Sequence, residues 1–109
     1  MTEELPQPLA DYFAASNRHD IDAMLVPFSP SATVKDEGET YRGSAAIRNW
    51  MKETTNKYHA LVEVTDATVS ADVWRIAGIV SGTFPGSPAT LHYDFTLAEE
   101  RITRLEIGA

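Results

Sequence analysis

The sequence predicts an α+β fold in which helices cover one face of a mostly antiparallel sheet. Three observations lead there. Apolar residues recur at helical spacing in three segments of the first half. From His59 onward the pattern turns extended and rich in Val and Thr. Turn signals at Ser70-Ala71-Asp72, Pro85-Gly86-Ser87-Pro88 and Glu99-Glu100 then divide that half into strands.

Taken in order, Leu5 to Asn17 reads as a helix with Leu5, Leu9, Tyr12, Phe13 and Ser16 on one face, and Pro6 and Pro8 in its first turn. Asp20 is the natural cap of a second, short helix carrying Ile21, Met24, Leu25 and Phe28, which Pro27 and Pro30 end. Ser31 opens a strand in which Ala32 and Val34 alternate with Thr33 and Lys35, and the chain turns at Glu37-Gly38. Ser44 caps a third helix running to about Lys57, with Ile47, Trp50, Met51 and Thr54 facing inward. Four strands follow: Leu61 to Val69, Val73 to Phe84, Thr90 to Ala98 and Arg101 to Ile107. In the second of these, Trp74, Ile76 and Val80 fall on one face and Val73, Ala77 and Ile79 on the other. Helices cover one face only, so the other predicts a sheet-to-sheet homodimer or cover by long connections of a monomer.

The 109 residues suit one domain, residues 1–109, and a hydrophobic content of 43% supports one core. Nine Lys and Arg against sixteen Asp and Glu leave a net charge of −7 with no basic cluster. Nucleic acid and anionic membranes are therefore not expected partners. Without cysteine there is no disulfide, thiolate nucleophile or Cys-based zinc site. The acidic start, Met-Thr-Glu-Glu-Leu-Pro, is unlike a secretory signal, and no run reaches the roughly 20 apolar residues of a membrane span. A cytoplasmic protein is the expectation.

Chemistry narrows by elimination. His19, His59 and His92 have no ligand spacing, so no metal is expected, and His92 with Asp94 reads as a surface pair. There is no Gly-x-Ser-x-Gly elbow, and Gly82-Thr-Phe-Pro-Gly86 lacks dinucleotide-binding spacing, so no cofactor is expected. Acid–base chemistry is left. Asp36 stands where a strand meets its turn: it either bonds that turn or aims a carboxylate into a neighbouring cavity. Tyr12, on an apolar helix face, either finds a partner for its hydroxyl or opens onto the cavity. Tyr93 alternates with Phe95 and Leu97 on the inward face of its strand and could reach the same space.

The chain resembles the nuclear-transport-factor-2-like superfamily, especially its ketosteroid-isomerase-like and SnoaL-like polyketide-cyclase-like branches. The resemblance is carried by the first helix through Asp20-Ile-Asp22, by Ala32-Thr-Val-Lys-Asp36, by Tyr41-Arg-Gly43 and the helix after it, and by Tyr93-Asp-Phe95 through Arg101-Ile-Thr-Arg-Leu105. It implies a cone: a curved sheet wrapped around the three N-terminal helices, with an internal apolar pocket. It aligns Asp36 with the isomerases' general base and Tyr12 with their oxyanion-hole tyrosine. It also departs from them. Tyr93 stands where the isomerases keep a second, protonated aspartate, and Met51 where they keep a supporting tyrosine.

The resemblance implies a pocket lined by Tyr12, Phe28, Trp50, Met51, Tyr93 and Phe95, with Asp36 at its polar end. A small, mostly apolar molecule fits such a site. The implied function is an isomerase or cyclase: Asp36 takes a proton next to a carbonyl, while Tyr12 and Tyr93 stabilise the enolate. The alternative is a non-catalytic small-molecule-binding or dimerisation module of the same fold.

Overall fold

The computed structural model describes residues 4–108; the first three residues of the acidic start and Ala109 lie outside them. Helix α1 spans Gln7–Asn17 and α2 spans Ile21–Leu25, with the Asp20 carboxylate accepting from the Ala23 backbone N–H. Strand β1 (Phe28–Asp36) and β2 (Glu39–Arg42) form a hairpin, and α3 (Ser44–Tyr58) follows. The remaining strands are β3 (Leu61–Ser70), β4 (Val73–Ser81), β5 (Ala89–Ala98) and β6 (Arg101–Gly108). They form one sheet in the order β2-β1-β6-β5-β4-β3, antiparallel throughout except where β1 runs parallel to β6. None of the helices among the described residues is long and apolar enough to cross a membrane.

Four details differ from the sequence reading. The short strand β2 was not expected: its Glu-Thr-Tyr-Arg is mostly exposed and has no apolar alternation to betray it. Glu37 and Gly38 both take positive φ, 54° and 79°, which is the two-residue turn whose twist suits a tight hairpin. Phe28 opens β1 rather than closing α2. Pro30 follows inside that strand, and the β1–β6 register shifts between Phe28 and Thr33, where a residue without an N–H cannot serve the ladder. Gly43, at φ 84°, is the residue before α3, and Ser44 is its first helical residue rather than its cap.

The fourth difference matters for the site. Strand β4 stops at Ser81, not Phe84. Residues 82–88 instead fold against the end of α3, where the Thr83 backbone N–H donates to the Tyr58 carbonyl at 2.8 Å and its hydroxyl to the same oxygen at 3.1 Å. Gly82 makes this approach possible. A Cβ there would stand 2.5 Å from the Tyr58 carbonyl oxygen, closer than any carbon can sit.

The core lies between the helices and the inner sheet face. Tyr12 is its aromatic hub, with edge-on contacts to Phe13, Phe28 and Phe95 at centroid distances of 5.3, 5.7 and 5.6 Å. Phe13 in turn meets Tyr93 at 5.3 Å. Leu9, Ile47, Ile76, Ile102 and Leu105 are fully buried around these rings. On the outer face, Val73 and Ile79 are exposed, and between them Arg75 grips Asp94 through two hydrogen bonds of 2.9 and 3.0 Å. Asp94 therefore points away from the interior.

Gly82→Ala should cost about 1–3 kcal/mol, since its methyl collides with fixed backbone. Gly108→Ala, where nothing lies within 4 Å of the added carbon, should leave stability unchanged. Urea midpoints of the two variants check the contrast.

Candidate functional site

Strand β1 carries Asp36 to its last position, where the hairpin turn begins. The side chain leans inward, and the indole N–H of Trp50 on α3 donates to its Oδ2 at 3.0 Å. The Glu37 backbone N–H, next along the chain, also favours the ionised form. No ion pair involving Asp36 occurs among the described residues. Burial therefore dominates and pushes the Asp36 pKa up. The Trp50 N–H works against that shift, while the neighbouring Glu37 charge adds to it.

Asp36 opens onto a cavity of about 550 Å³ with Tyr12, Trp50 and Tyr93 in its lining. Both phenols are buried, and burial holds both pKa values well above the ordinary tyrosine value. Each also feels the Asp36 charge, and Tyr12 feels Tyr93, so the three groups share one electrostatic neighbourhood. Among the described residues, neither hydroxyl has a protein hydrogen-bond partner, and neither oxygen is sealed from solvent space. Both stay protonated and open to a ligand. A base and two donors facing one apolar-walled space can take a proton and steady the negative charge it leaves.

The rest of the lining divides by chemistry. Met24, Val62, Val80, Leu91 and Ile107 are the apolar wall, and Ser16, His19, Thr54 and Thr55 add polar atoms from the helices. Glu37, Lys57, Tyr58, Phe84 and Pro85 lie together at one side. There the Tyr58 hydroxyl donates to Glu37 Oε1 at 2.9 Å, Lys57 Nζ stands 5.1 Å from the Tyr58 ring centre, and Phe84 meets that ring edge-on. The fold of residues 82–88 onto α3 is what brings Phe84 to the cavity.

Of the residues expected to line the pocket, Tyr12, Asp36, Trp50 and Tyr93 do so, and Phe28, Met51 and Phe95 do not. Phe28 is buried against Tyr12 as part of the aromatic hub. Met51 follows Trp50 by about 100° around α3, which turns it into the core while the indole faces Asp36. Phe95 shares the inward face with Tyr93 but is covered by the rings of Tyr12 and Phe13. Missing from the sequence reading were the Trp50–Asp36 bond, the apolar wall, His19 and the Glu37–Tyr58 pair. Ser16 and Thr54 did leave a signal: hydroxyls on otherwise apolar helix faces.

Comparison with known proteins bears on the family and the fold. The SnoaL-like domain family matches residues 9–105. A crystal structure from Sinorhizobium meliloti, provisionally described as a polyketide cyclase, is 40% identical, covers 95% of each chain and superposes with a TM-score of 0.92. A Catenulispora acidiphila protein with a ketosteroid-isomerase-like fold, solved with trimethylamine, is 21% identical over 97% of this chain and 87% of its own, with a TM-score of 0.85. The epoxide hydrolase/cyclase-like enzyme SalBIII, of pyran ring formation in salinomycin, is 21% identical over 93% and 86%, with a TM-score of 0.77. The latter two share the cone fold. No curated protein matches the sequence significantly.

Because its folded pKa is raised, Asp36 favours the fold most below the ordinary aspartate pKa, and that contribution is lost as pH rises through the folded value. Asp36→Asn keeps the shape and an acceptor for Trp50 while removing the charge. Its melting temperature should exceed that of the wild type at pH 7, and the gap should close as the pH falls toward 3. A lower melting temperature at pH 7 would mean that the carboxylate serves its turn instead.

Proposed function

The chain belongs to the SnoaL-like domain family, and on that premise we propose that it is an isomerase or cyclase that takes a proton from the carbon beside a carbonyl of a small, mainly apolar substrate. One observation carries the reading: a part-buried carboxylate that has no cationic partner among the described residues shares a mostly apolar cavity with two phenols whose hydroxyls have no partner among those residues.

In this reading Asp36 accepts the proton. The C–H electrons form a carbon–carbon double bond, and the carbonyl π electrons move onto oxygen. Tyr12 and Tyr93 donate hydrogen bonds to that oxygen where its charge develops. Where the substrate has a carbon–carbon double bond next to that carbon, the enolate is conjugated with it. Protonated Asp36 then returns the proton at the far carbon of that double bond. The oxygen electrons reform the carbonyl, and the double bond moves beside it, giving an isomer. In a cyclase, the enolate carbon instead bonds to a second carbonyl carbon of the same molecule, closing a ring; that carbonyl's π electrons move onto its oxygen, which takes the proton from Asp36. The relatives described as cyclase and cyclase-like favour that second outcome. Trp50 is the positioning residue: it fixes the carboxylate without a cation that would lower its basicity.

The same reading has residues 1–109 act as one domain of a cytoplasmic homodimer. The dimer is supported by Val73 and Ile79, exposed on the sheet face that no helix covers. A chain without cysteine gains nothing from an oxidising compartment, in keeping with the cytoplasm.

Proton abstraction can be measured before the substrate is known. In deuterium oxide, the protein should speed exchange of the hydrogens beside the carbonyl of apolar ketones. Asp36→Asn should lower that rate about 10²- to 10⁴-fold while ligand affinity holds. The wild-type rate should fall as pH drops through a pKa above the ordinary aspartate value. Equal rates for wild type and Asp36→Asn would leave a non-catalytic binding module. For the dimer, light scattering should give about 24 kDa, twice the 12.0 kDa chain.

A further inference from the structure

A ligand at Asp36 occupies one side of the cavity, and the opposite side is built from different elements. The sheet order separates β1, which carries Asp36, from β3 by β6, β5 and β4. The wall crossing that interval is apolar: Ile107, Leu91, Val80 and Val62 stand on successive strands. Where it ends, beside the start of β3, the lining becomes polar again at His19.

His19 is held there from two sides. Its Nε2 stands 2.9 Å from the carbonyl oxygen of Ala60. One residue after α1 ends on Asn17 comes the αR cap Arg18, and the Asn17 side chain grips the edge of β3, accepting from the Val62 N–H at 2.8 Å and donating to the Val62 carbonyl at 3.0 Å. A carbonyl only accepts, so Nε2 carries the proton and the neutral ring offers Nδ1 as an acceptor. Among the described residues Nδ1 has no hydrogen-bond partner. Tyr12 lies inside α1, whereas His19 lies past the end of that helix, beside the start of β3.

We infer that the cavity is a two-ended site: the substrate places its carbonyl at Asp36, Tyr12 and Tyr93, and donates a hydroxyl or N–H at its far end to Nδ1 of His19. This rests on the catalytic reading of the Asp36 end and adds the substrate class, an elongated apolar ketone with a hydrogen-bond donor at its far end. The sheet side of the cavity between the ends is apolar and favours a hydrocarbon middle there, since a polar group set against it would lose its water without a partner.

Para-substituted biphenyls test it, because their phenol oxygen imitates the enolate and two apolar rings separate it from a group at the far end. Three are compared by calorimetry at pH 8, where an imidazole is ordinarily neutral: one hydroxyl, a hydroxyl at each end, and a hydroxyl opposite a methoxy group. The dihydroxy compound should bind about tenfold more tightly than either partner, the worth of one added hydrogen bond. Methoxy has no proton to donate, so this comparison needs no variant. His19→Gly, which suits the positive φ of 56° and carries no side-chain acceptor, should abolish the advantage of the dihydroxy over the monohydroxy compound. Equal binding of the three compounds, or an advantage that survives His19→Gly, overturns the His19 end and leaves the Asp36 end standing. Failure of all three to bind the wild type overturns both.

Discussion

The 3.0 Å hydrogen bond from the Trp50 indole to Asp36 is the contact on which the site depends. A carboxylate inside an apolar-walled cavity is costly unless something satisfies it. A lysine or arginine would do so most strongly but would also hold the proton off and weaken the base. An indole N–H is neutral. It fixes one oxygen, leaves the pKa raised by burial, and leaves the other oxygen to the cavity. The turn contributes too, since the Glu37 N–H favours the ionised carboxylate while the Glu37 charge, its side chain bonded to Tyr58, presses the Asp36 pKa upward.

Much of the remaining architecture serves that arrangement. Helix α3 must lie close enough over β1 to bring Trp50 to Asp36, and its far end is tied down by residues 82–88 through the space left at Gly82. The aromatic hub fixes Tyr12 from three sides by edge-on ring contacts, so its hydroxyl is aimed by packing alone. Tyr93 is set in the same way by Phe13. Both donors are thereby preorganised at no cost in hydrogen bonds, and both remain available to whatever enters.

The sequence showed the elements whose signals are local. Helical spacing marked α1 and α3, the Asp20 cap marked α2, and the turn clusters marked β3 to β6 to within a few residues. It was silent on β2, whose four residues bury almost nothing, and on Pro30 inside a strand, which is tolerated only because the ladder shifts there. Asp36 and Tyr12 stood out by chemistry and position. Phe28, Met51 and Phe95 looked like pocket residues because inward-facing apolar side chains read alike whether they line a cavity or fill a core. Which of them meets empty space is decided by neighbours distant in sequence, such as Phe13 over Phe95. His19 gave no local sign, because its place depends on Ala60, 41 residues away.

Carboxyl-carbon NMR titration of Asp36 in the ligand-free protein tests the central claim most directly. A buried carboxylate held by neutral N–H groups should titrate above the ordinary aspartate value, and replacing Trp50 with Phe should move it higher still. A midpoint at or below the ordinary value would describe a solvated or fully bonded turn residue, and would contradict Asp36 as the base of this cavity.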